Sequence, residues 1–123
     1  MPTPRVSVII PVFNGVEDLS GAIESALNQR DCETEVIVVN DGSTDGTKAL
    51  IDYYGSKIIA IHQKNLGAAG LSRTRNNGVA ASSGEWIAFL DHDDLWEPDK
   101  LASQLAAARR TSADIVYTNA RNF

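Results

Sequence analysis

Asp91, Asp93 and Asp94 place three carboxylates within four residues, with His92 among them. Carboxylate oxygens at this density match the donor set of a hard divalent cation, which takes oxygen ligands. In an extended chain, residues two apart leave on the same side, so Asp91 and Asp93 can converge on one ligand while His92 points away. Asp94 is placed to start the turn leading to Pro98. A metal-free acidic loop fits the same residues, and the spacing leaves both readings open.

Three further stretches carry groups that could meet a ligand. Pro11-Val12-Phe13-Asn14 offers a ring on which a flat base could pack, or else a plain strand exit with Phe13 in the core. Asp41-Gly42-Ser43-Thr44-Asp45-Gly46 has the loop spacing of an EF-hand, with Asp52 at its end. The residues before it suit a strand rather than an entering helix, and the last ligand would be Asp instead of a bidentate Glu, so calcium is rejected. A turn remains in which Ser43 or Asp45 caps a helix, leaving Asp41 free to accept from a ligand N–H. Asn65 to Gly78 joins a glycine-rich loop to a helix bearing Arg73 and Arg75, either of which could reach a phosphate or lie on a solvated face. Neither a Walker loop nor a strand-Gly-x-Gly-x-x-Gly pattern is present.

The elements that must position these groups alternate in type. Strand signals cover residues 6–10, 35–40, 57–62, 86–90 and 115–119, and helical patterns cover about 17–28, 47–54, 71–81 and 98–110. Proline in a first turn suits a helix starting at Pro98. Trp86 to Leu90 is an uninterrupted apolar run, expected to be a strand buried on both faces. This order predicts an α/β fold: right-handed βαβ units around a mostly parallel, Rossmann-like sheet of about five strands, with helices on both faces. Ligand groups then belong at the carboxyl ends of strands one, two and four.

Composition narrows the function. A chain of 123 residues suits one domain. The net charge of −5 and eleven scattered Lys and Arg exclude a nucleic-acid partner. The single Cys32 forms no intrachain disulfide. No apolar run approaches the roughly 18 residues of a membrane span, and the start Met-Pro-Thr-Pro-Arg lacks the layout of a signal peptide. A cytoplasmic location with no membrane segment is the expectation.

Four stretches taken together resemble glycosyltransferase family 2: Val6 to Asn14, Glu35 to Asp45, Arg75-Asn76-Asn77-Gly78, and Gly84 to Asp94. They fall in the family's order and cover the chain nearly end to end. The resemblance implies a truncated GT-A fold of the nucleotide-diphospho-sugar transferase type, with residues 1–123 as its nucleotide-sugar-binding half. It implies a nucleotide-diphosphate sugar donor, usually a UDP-sugar, an unknown acceptor hydroxyl, and Mn2+ or Mg2+. By similarity Pro11, Phe13, Asn14, Asp41, Ser43, Asn65, Arg75 and Asp91 would serve the nucleotide-sugar. Pro11 and Phe13 would line the base pocket and Asp41 would accept from a uracil N–H. Arg75 would lie near the base or diphosphate, Asp91 would face the ribose or sugar, and Asp93, with Asp91, would bind the metal. Phe13 stands where the family often has Tyr, and Thr74 replaces the usual Ala before Arg75, with little effect expected.

Family members typically invert at the anomeric carbon with an Asp or Glu as base. That base is expected beyond residue 123, so the chain alone would bind donor with little turnover. An unfinished sheet is expected to favour self-association. A binding module without catalysis is the rival from another class. A receiver-type signalling domain lacks its acids after strand one, its Asp after strand three and its Lys after strand five. A sugar-1-phosphate nucleotidyltransferase lacks its glycine- and arginine-rich loop after strand one.

Overall fold

The computed structural model describes residues 5–67 and 70–117. In chain order these form β1 (Arg5–Val12), α1 (Leu19–Leu27), β2 (Glu33–Asp41), α2 (Thr47–Tyr54), a short 3-10 turn (Gly55–Lys57), β3 (Ile59–Gln63), α3 (Leu71–Ala80), β4 (Trp86–Phe89) and α4 (Lys100–Thr111). The four strands pair in the order β3-β2-β1-β4, every pair parallel.

Period-two alternation divides the core into two layers. Val6, Val8, Ile10 and Val12 of β1 and Val36 and Val38 of β2 face α1, α2 and α4, through Leu19, Ile23, Ile51, Leu101 and Leu105. Ile9, Ile37 and Val39 form the opposite layer. There α3 lies close on the sheet: a Cβ on Gly78 would come within 2.4 Å of Ile9 Cγ2 and 3.2 Å of Val39 Cγ2. Helices therefore cover both faces, as the alternating pattern predicts.

Three local expectations change. β4 is not buried on both faces: Ile87 and Phe89 are exposed, and among the described residues β4 pairs only with β1, at the edge of the four-stranded sheet. Pro98 falls in a turn ahead of α4, and Asp99 is the N-cap. Of the expected fifth strand, Ile115 to Tyr117 has no strand pairing, with Ile115 and Tyr117 largely exposed. Thr118 and Asn119 lie outside the described residues. Among the described residues no helix is long and apolar enough to cross a membrane.

The strand order opens a crevice in the sheet. The chain steps outward from β1 through β2 to β3, then reverses and lays β4 against the other side of β1. The loops leaving β1 and β4 meet at that reversal, where a Cβ on Gly15 would fall 2.4 Å from His92 Cδ2, and the carboxyl ends of the strands there are where open parallel sheets bind ligands.

Candidate functional site

A cleft of about 540 Å3 opens at that reversal. β1 contributes Pro11 and Val12, with Phe13 just beyond it, and β2 ends on Asp41 at the floor. Asn65 and Gly67 come from the loop after β3, Leu71, Thr74 and Arg75 from α3, and Asp91, His92 and Asp93 from the loop after β4. Of the nine residues that the resemblance assigns to donor or metal, seven thus line one cavity: Pro11, Phe13, Asp41, Asn65, Arg75, Asp91 and Asp93.

Phe13 is 47% exposed, so its ring is not a core residue but a free face at the cleft. Asp41 is 9% exposed, and its carboxylate is held on several sides. Oδ1 accepts from Gln63 Nε2 and from the Leu66 backbone N–H, each at 3.0 Å, and Oδ2 has a longer 3.4 Å bond from Asn65 Nδ2. Asn65 also donates to the Asp41 carbonyl at 3.0 Å and accepts from Gly67 N at 2.8 Å, which ties down the loop. Gly42 helps this approach: its φ of +70° is favourable for glycine, and a Cβ there would meet Asn65 N at 2.6 Å.

Asn14 and Ser43 behave differently. The Asn14 N–H donates to Ser43 Oγ at 2.9 Å, while Asn14 Oδ1 accepts from Thr44 N at 2.7 Å and Asp45 N at 3.3 Å. Neither residue lines the cleft. Their polar atoms clasp the loop after β1 to the loop after β2, with Asn14 at φ 51°, a conformation asparagine tolerates better than most. The Asp45 carboxyl, held below its ordinary range first by the Thr47 hydroxyl, completes this clasp through Val16 N at 3.3 Å.

The acidic loop is a turn rather than an extended segment, since Asp94 N donates to the Asp91 carbonyl at 3.1 Å. That geometry overrides the alternation read from the sequence. His92 does not point away: it lines the cleft, and a Cβ on Gly15 would fall 2.4 Å from its Cδ2. Asp94, assigned to the turn alone, brings its carboxyl to the other two. One oxygen from each of Asp91, Asp93 and Asp94 lies within 4.8 Å of the others. A cation about 2.0–2.6 Å from its oxygen ligands can bridge atoms at such separations, so the donor set fits Mg2+ or Mn2+. Burial, then the charges of Asp91 and Asp93, push the Asp94 carboxyl up from its ordinary value.

Arg75 connects this loop to α3. Its Nη2 donates to Asp91 Oδ1 at 3.2 Å, and its guanidinium lies 5.7 Å from the Phe89 ring centroid. Its Nε is buried without a hydrogen-bond partner among the described residues. Exposure of Phe89 at the edge of the sheet is therefore put to use as a platform for the cation.

Residues that the sequence did not flag also belong here. Thr74, expected to matter little, is 2% exposed and donates its hydroxyl to the Gly70 carbonyl at 3.0 Å. Gln63, which lies one residue past the predicted third strand, bonds Asp41. No local signal marks Gln63; its role comes from the parallel register that pairs it with Asp41.

The chain is similar to known proteins in both sequence and fold. The family model described as "Glycosyl transferase family 2" matches residues 7–123. An uncharacterized glycosyltransferase of Rickettsia typhi is 42% identical over 103 residues, covering 84% of this chain and 31% of the relative. The uncharacterized glycosyltransferase YibD of Escherichia coli K12 is 34% identical over 121 residues, covering 96% of this chain and 34% of the relative. Among solved structures, S. aureus TarS 1-349 superposes with a TM-score of 0.79 at 29% identity, over 89% of this chain and 34% of that one. TarS 1-349 has also been crystallised in complex with UDP and with UDP-GlcNAc. The chain spans about a third of the length of these relatives.

Proposed function

This chain belongs to glycosyl transferase family 2, and we propose that residues 1–123 hold the donor site of an enzyme that moves a sugar from a nucleoside diphosphate to an acceptor hydroxyl. The observation that carries this reading is the convergence of Phe13, Asp41, Arg75 and the Asp91–Asp94 loop on one cleft at the reversal of strand order. The UDP and UDP-GlcNAc bound by TarS support a UDP-sugar as donor.

In this reading Phe13 packs on the base, and Asp41 accepts the ring N–H with the oxygen less engaged by the protein. Arg75 meets the diphosphate with its charged guanidinium. Asp93, together with Asp91 and Asp94, holds a divalent cation. When bound, that cation would neutralise the charge growing on the leaving nucleoside diphosphate. The protein's part is to fix the donor: floor and ring select the base, and arginine and acids frame the diphosphate. We assign inversion at the anomeric carbon and the acceptor base to groups outside these residues, with donor binding and little turnover by this chain alone.

Calorimetric titration with UDP, GDP and dTDP, with and without Mn2+, tests this on the wild type and Asp93→Asn. UDP should bind most tightly, Mn2+ should strengthen it, and Asp93→Asn should remove most of the Mn2+ effect. Nucleotide binding indifferent to both Mn2+ and the substitution would reject the metal assignment.

A further inference from the structure

Gln63 joins Asp41 to α3 beneath the cleft. Asp41 and Gln63 are register partners on parallel strands, so their side chains leave the sheet on the same face. Gln63 Nε2 donates to Asp41 Oδ1 at 3.0 Å and to Thr74 Oγ1 at 3.0 Å, and Gln63 Oε1 accepts from Asn77 Nδ2 at 2.6 Å.

The polarity of this chain of bonds has one consistent solution. The Gly70 carbonyl can only accept, so the Thr74 hydroxyl gives its single proton there and must accept from Gln63. An ionised Asp41 can only accept as well. Gln63 therefore has to turn its NH2 toward both; the flipped amide would set a third acceptor against two. Leu66 N–H adds a second bond to Asp41 Oδ1. Oδ1 is thus occupied twice from within the protein. Oδ2, which among the described residues has only the 3.4 Å bond from Asn65, keeps accepting capacity in a residue that lines the cleft.

We propose that Gln63 is a positioning residue that fixes Asp41 as a hydrogen-bond acceptor toward the base, making the cleft select a pyrimidine with a ring N–H over one whose matching ring nitrogen is an acceptor. Uracil belongs to the first class and cytosine to the second. The inference rests on the donor-site reading above. A fixed acceptor facing another acceptor leaves both unpaired in a partly dry site, which is how a built polar site rejects an analogue of the same shape. Thr74 and Asn77 hold the Gln63 amide so that it cannot turn to accommodate the wrong base.

Calorimetry with UDP and CDP at fixed Mn2+ tests the idea on the full chain, using wild type, Gln63→Glu, Thr74→Val and Thr74→Ser, with each variant's melting temperature recorded. Gln63→Glu keeps the length but removes the donor facing Asp41. The UDP-over-CDP preference should fall at least about tenfold, as expected for losing a hydrogen bond to a charged group. Thr74→Val should lower the preference severalfold, and Thr74→Ser should retain it, so the threonine pair decides the matter if Gln63→Glu fails to fold. A preference unchanged in both Gln63→Glu and Thr74→Val overturns the proposal. So does an equal loss of UDP and CDP affinity, the signature of a merely structural role. Wild type that binds both nucleotides without preference removes the inference and leaves the donor site standing; wild type that binds neither removes both.

Discussion

Arg75 Nη2 lies 3.2 Å from Asp91 Oδ1, so the cation of α3 is paired with the first carboxylate of the acidic loop. The pair is partly exposed, with side chains 34% and 54% accessible, and its strength should fall as salt rises. The same guanidinium thus both shields the acids and faces the cleft.

Arg75→Ala should therefore act in opposite directions on two ligands. Mn2+ alone should bind severalfold more tightly, because a positive charge beside Asp91 is gone. UDP in the presence of Mn2+ should bind about tenfold more weakly, for loss of a charged contact to the diphosphate. Calorimetry with each ligand separately checks both signs. Parallel weakening of both would mean that Arg75 only supports the fold.

Phe13 is 47% exposed at the cleft, so only part of the residue packs inside the protein. Phe13→Ala should lower the melting temperature by no more than a few degrees, since about half of the residue is exposed. UDP affinity should drop about five- to a hundredfold, since base-aromatic stacking contributes about 1–3 kcal/mol. Phe13→Tyr should keep the affinity, because the ring face is retained. A large loss of stability in Phe13→Ala would return the ring to the core.

Gly78 sets the distance between α3 and the sheet. Alanine would gain about 1 kcal/mol of helix propensity. It would also drive a methyl to 2.4 Å from Ile9 Cγ2, so the fully buried Ile9 or the helix would have to shift. Overpacking at such a site costs about 1–3 kcal/mol and occasionally more, so the steric effect should win. Urea denaturation of Gly78→Ala should show net destabilisation. UDP binding should weaken as well, because Thr74 and Arg75 ride on the same helix.

Glu35 lies at the opposite end of the sheet from the cleft and sets an acid limit. Burial alone would raise its pKa, but bonds from Ser7 Oγ at 2.6 Å, Ser83 N at 2.9 Å and Ser83 Oγ at 2.8 Å outweigh it, aided by Arg5. The net shift is downward from the ordinary 4.5. A carboxyl depressed in the folded state contributes stability that is complete above its unfolded pKa and lost as pH falls through the folded value. Denaturant midpoints should thus decline below about pH 4.5, and Glu35→Gln should flatten part of that decline while lowering stability at neutral pH. An identical acid profile in the variant would place the acid sensitivity elsewhere.

The parallel α/β frame and the outline of the cleft are written in the amino-acid order. Period-two runs such as Val6 to Ile10 and the helical stripe of Leu19, Ala22, Ile23 and Ala26 declare their elements locally, and turn-formers after the strands mark where ligand groups must emerge. Pro11, Phe13, Asp41 and Asp93 were legible for that reason. Which polar side chain meets which came only with the folded chain. Asn14 and Ser43 bond the neighbouring loop instead of the cleft, and Gln63 enters through the register of β2 and β3. A turn, not an extended strand, gathers Asp94 with Asp91 and Asp93. Hydrophobic period is carried by adjacent residues, whereas a hydrogen-bond partner across two strands or two loops is set by packing, and short polar side chains carry no local mark of the partner they will find.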